Sequence, residues 1–270
     1  MTAQEKLTLK TDNHKHICVG LDTDINKIPE FLLKEENPVL AFNKIIIEST
    51  KEHCGAYKIN FAFYEKDGID GLKTLIETKK LIPEDILVIA DAKRGDIGNT
   101  SKMYAQAVFD KFEMDSITLH PYMGGDSVQP FLDYEDRISF ILALTSNKSA
   151  EDFEKCELLN GQPLYQKVIE KIHDWNKYQN CGLVFGATNP QELISSVSLM
   201  DDLPVLLPGV GAQGGSLEEV VKIFDATGKT NYLVNVSRGL LYLDSTPAFG
   251  RAAEESIVKM NKTVNSMLLI

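Results

Sequence analysis

Eight short apolar runs, each ending in polar residues and followed by a stretch of helical periodicity, constrain the fold of this chain more than any other feature. They read HICVGLD, GAYKIN, ILVIADAK, SITLH, ISFILALTS, CGLVFGAT, PVLLPGVG and NYLVNVSR. Runs rich in valine and isoleucine that do not alternate with polar residues fit strands covered on both faces, as in a parallel sheet under helices. Between them, AFNKIIIESTKE, GLKTLIETKKL, LYQKVIEKIHDW and LEEVVKIFDA space their apolar residues for one face of a helix, and AFGRAAEESIVKMNKTV closes the series. Eight such units in 270 residues predict an α/β protein, a single-domain (β/α)8 (TIM) barrel over 1–270, with an open doubly wound sheet as the alternative. Two segments stand apart. Residues 1–15 are predicted to be an N-terminal tail, with His14 and His16 solvated, and residues 147–163, NKSAEDFEKCELLNGQP, form a long polar loop that is either a lid or a solvated insertion.

The acidic surplus, 39 acidic against 28 basic residues for a net charge of −11, argues against nucleic acid and anionic membrane as partners. A small anionic ligand remains compatible with it if positive groups are concentrated locally. At 43% hydrophobic and 25% charged the composition is that of a globular domain. Cys18, Cys54, Cys156 and Cys181 form no CxxC pair, so buried reduced thiols are expected rather than disulfides or a metal site. No signal-like segment or membrane-length apolar run is present, which predicts a cytoplasmic protein.

In a barrel of this kind the chemistry sits at the carboxyl ends of the strands. Reading only those ends yields Asp22, Lys58, Asn60, Asp91, Lys93, Asp96, His120, Thr145, Ser146, Gln213 and Arg238. The third run is the sharpest case, because ILVIA leads straight into DAKRGD. Side chains at i and i+2 share one face of a strand, so Asp91 and Lys93 point the same way. With Lys58 and Asp96 they make a set of alternating sign. A structural ion-pair network would account for it too, but buried pairs are costly to desolvate. A lysine between carboxylates keeps its proton and can act as an acid. The second cluster lies at the last two strands, where LPGVGAQGGS puts glycines at 209, 211, 214 and 215 ahead of a helix at Leu217 and VNVSRGL adds Arg238. Close backbone approach, a helix amino terminus and a bidentate guanidinium together suit a phosphate. A phosphorylated ligand is therefore predicted across the barrel mouth, its phosphate over strands seven and eight and its reacting end over strands two and three.

At these residues the chain resembles the orotidine 5'-phosphate decarboxylase family in its longer bacterial branch. DAKRGDIGNTS is similar to the family's Asp-x-Lys-x-x-Asp-Ile/Val signature with its following threonine, and CVGLD, YKIN, PGVGAQGG and VSRG stand around it in the expected order, from about Ile17 to Gly239. The resemblance implies conversion of orotidine 5'-phosphate to UMP and CO2 in pyrimidine nucleotide biosynthesis, with no cofactor and no metal. It implies Lys93 as proton donor to C6 of the pyrimidine, Asp91 beside the departing carboxylate, and Lys58 and Asp22 at the ribose hydroxyls, with Asn60 and Pro208 as further substrate contacts. Asp96, Ile97 and Thr100 would reach into the neighbouring subunit's site, which makes a homodimer the expected assembly. Gln213 and Arg238 would bind phosphate, with Gly239 or Ser237 assisting through the backbone. The family places a serine near the base after the fifth strand; Ser146 is favoured here over Thr145, and His120 has no assigned role beyond the barrel rim.

Two other readings compete. Magnesium-dependent phosphosugar enzymes of the same superfamily carry a similar Asp-x-Lys-x-x-Asp but use a carboxylate at the end of the second strand, where this chain has Lys58, a cation that repels Mg²⁺. A non-catalytic phosphate-ligand sensor on a barrel is the reading from a different class, and a degenerate binder is expected to lose Lys93, which is present.

Overall fold

The structure, a computed structural model, describes residues 1–211 and 214–268. Among them, eight parallel strands close into one barrel in chain order: β1 (Ile17–Gly20), β2 (Ala56–Asn60), β3 (Leu87–Arg94), β4 (Ser116–Leu119), β5 (Ile138–Leu144), β6 (Cys181–Phe185), β7 (Val205–Leu207) and β8 (Tyr232–Val236). β8 pairs back onto β1, with Val19 opposite Val236, so the open-sheet alternative does not hold. The unbroken apolar runs have a simple cause: both strand faces are covered. Cys18, Ile89, Phe140, Leu206 and Leu233 fill the barrel interior, while Val19, Tyr57, Ile117 and Leu207 pack in the larger cluster beneath the helices.

The periodic segments form the helices Pro38–Thr50, Gly68–Lys80, Leu164–Trp175, Leu217–Asp225 and Phe249–Leu268. The first of these starts where it does because Asn37 accepts the Leu40 N–H at 3.0 Å and Pro38 occupies the opening turn. Helices Gly98–Gln106, Gly125–Leu132 and Pro190–Ser196 follow β3, β4 and β6.

The amino terminus corrects the expectation of a solvated tail. Residues Ala3–Thr11 form a helix opened by a capping box, in which Glu5 N–H donates to Thr2 Oγ1 (3.2 Å) and Thr2 N–H to Glu5 Oε2 (2.8 Å). Ala3 and Leu7 join the interior apolar cluster and close the barrel at its amino-terminal end. Lys6 reaches Asp115 at 2.7 Å, and Lys10 reaches Asp85 at 2.5 Å. His16 is fully buried, not solvated: its ring stacks on Tyr232 at 4.2 Å, and its Nδ1 lies 3.0 Å from the Tyr232 carbonyl. Burial lowers its pKa to about 4, so the imidazole is neutral near pH 7.

Cys18, Cys54 and Cys181 are free and buried, whereas Cys156 is free and exposed in the polar loop. That loop is ordered: a 3-10 turn spans Lys148–Asp152, and Glu157 pairs with Pro163 in an antiparallel bridge. Among the described residues no helix is long and apolar enough to cross a membrane.

Candidate active site

Register brings the polar strand ends together. Gly20 of β1 lies opposite Lys58 of β2, and Asn60 of β2 opposite Asp91 of β3. Asp22 then sits just beyond β1, with Lys58 beside it. Lys58 Nζ donates to Asp22 Oδ1 at 3.3 Å and to Asp91 Oδ2 at 2.7 Å. Lys93 Nζ donates to the other Asp91 oxygen, Oδ1, at 2.5 Å. The result is a chain of alternating charge: Asp22, Lys58, Asp91, Lys93. Lys58 is 3% exposed and Asp91 8%, so neither charge is solvated and each depends on its partners. Burial alone pulls the Lys58 pKa down, but Asp22 and Asp91 outweigh it and hold the ammonium above its ordinary value. Burial pushes Asp91 up, and Lys58 with Lys93 outweigh it, leaving its carboxyl well below the usual range.

Lys93 is placed by its backbone. Four steps along β3, from Ala90 to Arg94, match two along β4, from Ile117 to Leu119, so β3 bulges here. Within the bulge Lys93 takes φ +43°, a left-handed conformation that a residue with a Cβ adopts only when its surroundings enforce it. Thr118 of β4 supplies part of that enforcement. Its Oγ1 accepts the Lys93 N–H at 3.0 Å and donates to Asp91 Oδ1 at 3.1 Å. One hydroxyl thus fixes both the lysine and its carboxylate.

The charge chain borders a cavity of about 480 Å³ at the barrel mouth, within the roughly 300–1,000 Å³ range of small-ligand sites. Asp22, Lys58, Asn60, Asp91 and Lys93 line its β1–β3 side, and Ser146, Pro208 and Arg238 line it farther round. At the β7 end, Gly209 has φ +103° and its carbonyl accepts the Gly215 N–H at 3.1 Å, turning the chain back over the rim. Arg238 begins a short helix, Arg238–Leu241, directly after β8. Gln213 lies outside the described residues.

Four predicted residues do not line this cavity: Asp96, Ile97, Thr100 and Gly239. Asp96 Oδ1 accepts the Ile97 N–H at 2.8 Å, and Ile97 is 57% exposed at the amino end of helix Gly98–Gln106, whose first turn carries exposed Thr100. Within one chain, therefore, the carboxylate that completes the alternating set is Asp22, and Asp96 stands outside it.

Several functional neighbours escaped the sequence reading. Thr118 is one, although its place two residues before His120 on an inward face was a usable signal. Tyr64 and Tyr242 are others: their hydroxyls donate to the Leu21 carbonyl and the Asp22 carbonyl, both at 3.1 Å, and hold the turn that presents Asp22. Asn147 and Glu154 of the polar loop also face the cavity, so this part of the loop borders the site. His120 lines it as well; burial and then Lys93 lower its pKa, against an opposing pull from Glu154. Thr145 and Ser146 both line the cavity, and Glu154 accepts the Thr145 backbone N–H at 2.6 Å.

Comparisons with known proteins bear on the sequence and the fold. A model of the orotidine 5'-phosphate decarboxylase / HUMPS family matches residues 15–248. The orotidine 5'-phosphate decarboxylase of Phocaeicola vulgatus is 46% identical over 255 residues, covering 93% of each chain. That of Christiangramia forsetii is 45% identical over 271 residues, covering 99% of each. Among solved structures, the OMP decarboxylase of Leishmania donovani superposes with a TM-score of 0.84 at 34% identity, over 98% of this chain and 100% of its own. The chain belongs to the orotidine 5'-phosphate decarboxylase / HUMPS family.

Proposed function

We propose that this protein decarboxylates orotidine 5'-phosphate to UMP through the Asp22–Lys58–Asp91–Lys93 chain, acting as a homodimer. Loss of CO2 from C6 leaves an electron pair in the plane of the ring, where the π system cannot delocalise it. The protein must then stabilise a carbanion with its own charges. Lys93 is the group that meets this pair and delivers the proton to C6. An ammonium about 4 Å from the developing charge contributes on the order of 4 kcal/mol at an effective dielectric near 20. Enzymes as a class remove roughly 8 to 23 kcal/mol from their barriers, so Lys93 supplies part of the total. Binding energy at the distant phosphate, held by Arg238 and Gln213 with Gly239 or Ser237 assisting through the backbone, supplies more if it is realised only as the site closes on the base.

The observation that carries this reading is the position of Lys58. The competing metal-dependent phosphosugar reading calls for a carboxylate at the end of the second strand. Here a buried ammonium lies between Asp22 and Asp91, and its charge repels a divalent cation from that place. Asp22 and Lys58 then serve the ribose hydroxyls, and Ser146 the base. Asp96, Ile97 and Thr100 lie outside their own cavity and are accessible, which supports their contribution to the partner's site. The test is the absorbance change of orotidine 5'-phosphate with EDTA-treated protein beside a Lys93→Ala control. Conversion to UMP by the wild type alone is expected. No conversion by the folded wild type would instead favour phosphosugar chemistry with Mg²⁺.

A further inference from the structure

At the end of β5 the chain turns through Thr145 and Ser146, and three backbone groups of this turn, the Thr145 N–H and the carbonyls of Thr145 and Ser146, have side-chain partners. Glu154 Oε2 accepts the Thr145 N–H at 2.6 Å, and both Glu154 oxygens lie 2.9 Å from Thr145 Oγ1. Asn189 Nδ2 donates to the Thr145 carbonyl at 3.1 Å, and Thr188 Oγ1 donates to the Ser146 carbonyl at 3.2 Å. Gly186, at the end of β6, presses on the turn from the other side: a Cβ there would come within 2.8 Å of Ser146 N and 2.9 Å of Ser146 Cα. Of these partners Glu154 alone carries a charge, and charge-assisted hydrogen bonds are the strong ones. Its own position is fixed in turn. Its carbonyl accepts the Tyr165 N–H at 2.8 Å from helix Leu164–Trp175, and the adjacent Lys155 pairs with Glu192 of helix Pro190–Ser196 at 2.5 Å.

We infer that Glu154 is a positioning residue for the pyrimidine: acting through Thr145, its carboxylate sets the turn that presents Ser146 to the base. This deepens the decarboxylase reading and rests on it. Glu154 lies in the polar loop, outside the motifs at the strand ends, and it gives that loop a task in base recognition. A residue with this role must affect ligands that carry the base and spare those that carry only sugar and phosphate.

The test compares the affinities of UMP and ribose 5-phosphate by calorimetry for the wild type, Glu154→Ala and Glu154→Gln. Glu154→Ala is expected to weaken UMP at least about tenfold, the effect of losing one hydrogen bond to a charged group, and to leave ribose 5-phosphate unchanged within about twofold. Glu154→Gln, whose amide oxygen still accepts the Thr145 N–H, is expected to recover most of the UMP affinity. Should the alanine variant not fold, Glu154→Asp keeps the charge but shortens the reach by one methylene, and the same split is expected. Equal weakening of both ligands, or of neither, overturns the role of Glu154. A folded wild type that neither binds UMP nor turns over orotidine 5'-phosphate overturns the decarboxylase reading itself.

Discussion

Replacing Asp91 with asparagine probes the charge chain at its centre. The carboxylate accepts from Lys58 at 2.7 Å, from Lys93 at 2.5 Å and from Thr118 at 3.1 Å. An amide has one oxygen and one nitrogen donor, so in Asp91→Asn the nitrogen must face either Lys58 or the Lys93–Thr118 side. One ammonium loses its acceptor, and the balanced set of two carboxylates and two ammoniums gains a net positive charge. At an effective dielectric near 20, losing a charged partner at contact range is worth on the order of 4 kcal/mol. If the loss falls on the placement of Lys93 in the transition state, kcat drops about a thousandfold, since each 1.36 kcal/mol is a factor of ten. The ground state behaves differently: the substrate carboxylate loses a like-charged neighbour, and UMP has no carboxylate to respond to the change, so KM and the UMP dissociation constant are expected to change less than about tenfold. Folding stability should fall by about 3 kcal/mol, the lower end of the cost of removing one partner of a buried pair. Steady-state kinetics with orotidine 5'-phosphate, UMP titration and denaturant unfolding measure the three quantities. A loss confined to KM, or a kcat within about tenfold of the wild type, would refute the central place of Asp91.

Three further outcomes are expected. Thr118→Val removes both the acceptor of the Lys93 N–H and a donor to Asp91; kcat should fall about tenfold to a hundredfold with UMP affinity little changed, and unaltered kcat would make Thr118 a spectator. His16 titrates near pH 6.5 when unfolded and near 4 when folded, so the unfolded chain binds the extra proton and stability falls as pH drops from 6.5 towards 4. At about 1.36 kcal/mol per pH unit this costs about 3 kcal/mol, and unfolding midpoints of His16→Phe at pH 7 and pH 4.5 should show a correspondingly smaller loss than the wild type. If Asp96 serves the partner's site, mixing inactive Lys93→Ala and Asp96→Ala proteins should restore activity as subunits exchange, because one hybrid site keeps both residues; no recovery despite demonstrated exchange would assign Asp96 to its own subunit.

The strands and the β1–β3 charges were legible because burial on both faces leaves an unbroken apolar signature, against which Asp22, Lys58 and Asp91 stand out at the strand ends. Asp91 and Lys93 both face the cavity, 2.5 Å apart, although the bulge and the left-handed backbone of Lys93 interrupt the regular two-residue strand period. The amino-terminal helix was misread because it buries little beyond Ala3, Leu7 and the stem of Lys10, too few apolar residues for a periodic pattern. Its Thr2–Glu5 capping box was the signal to weigh. Buried His16 was similarly hidden, since nothing local tells that Tyr232 stacks on it. Tyr64 and Tyr242 brace the Asp22 turn from 43 and 220 positions away along the chain, a distance that local patterns do not span. Glu154 depends on the path of an irregular loop, and only the fold brings it back to Thr145.

Exchange at C6 of UMP tests the central claim most directly. A site that protonates a C6 carbanion with Lys93 must, by microscopic reversibility, also remove the C6 proton of bound UMP. Incubated with the protein in D2O, UMP should lose its C6 proton resonance while the C5 doublet collapses to a singlet, and Lys93→Ala should abolish the exchange without unfolding the barrel. Exchange that continues undiminished in folded Lys93→Ala protein would place the proton donor elsewhere and contradict the account.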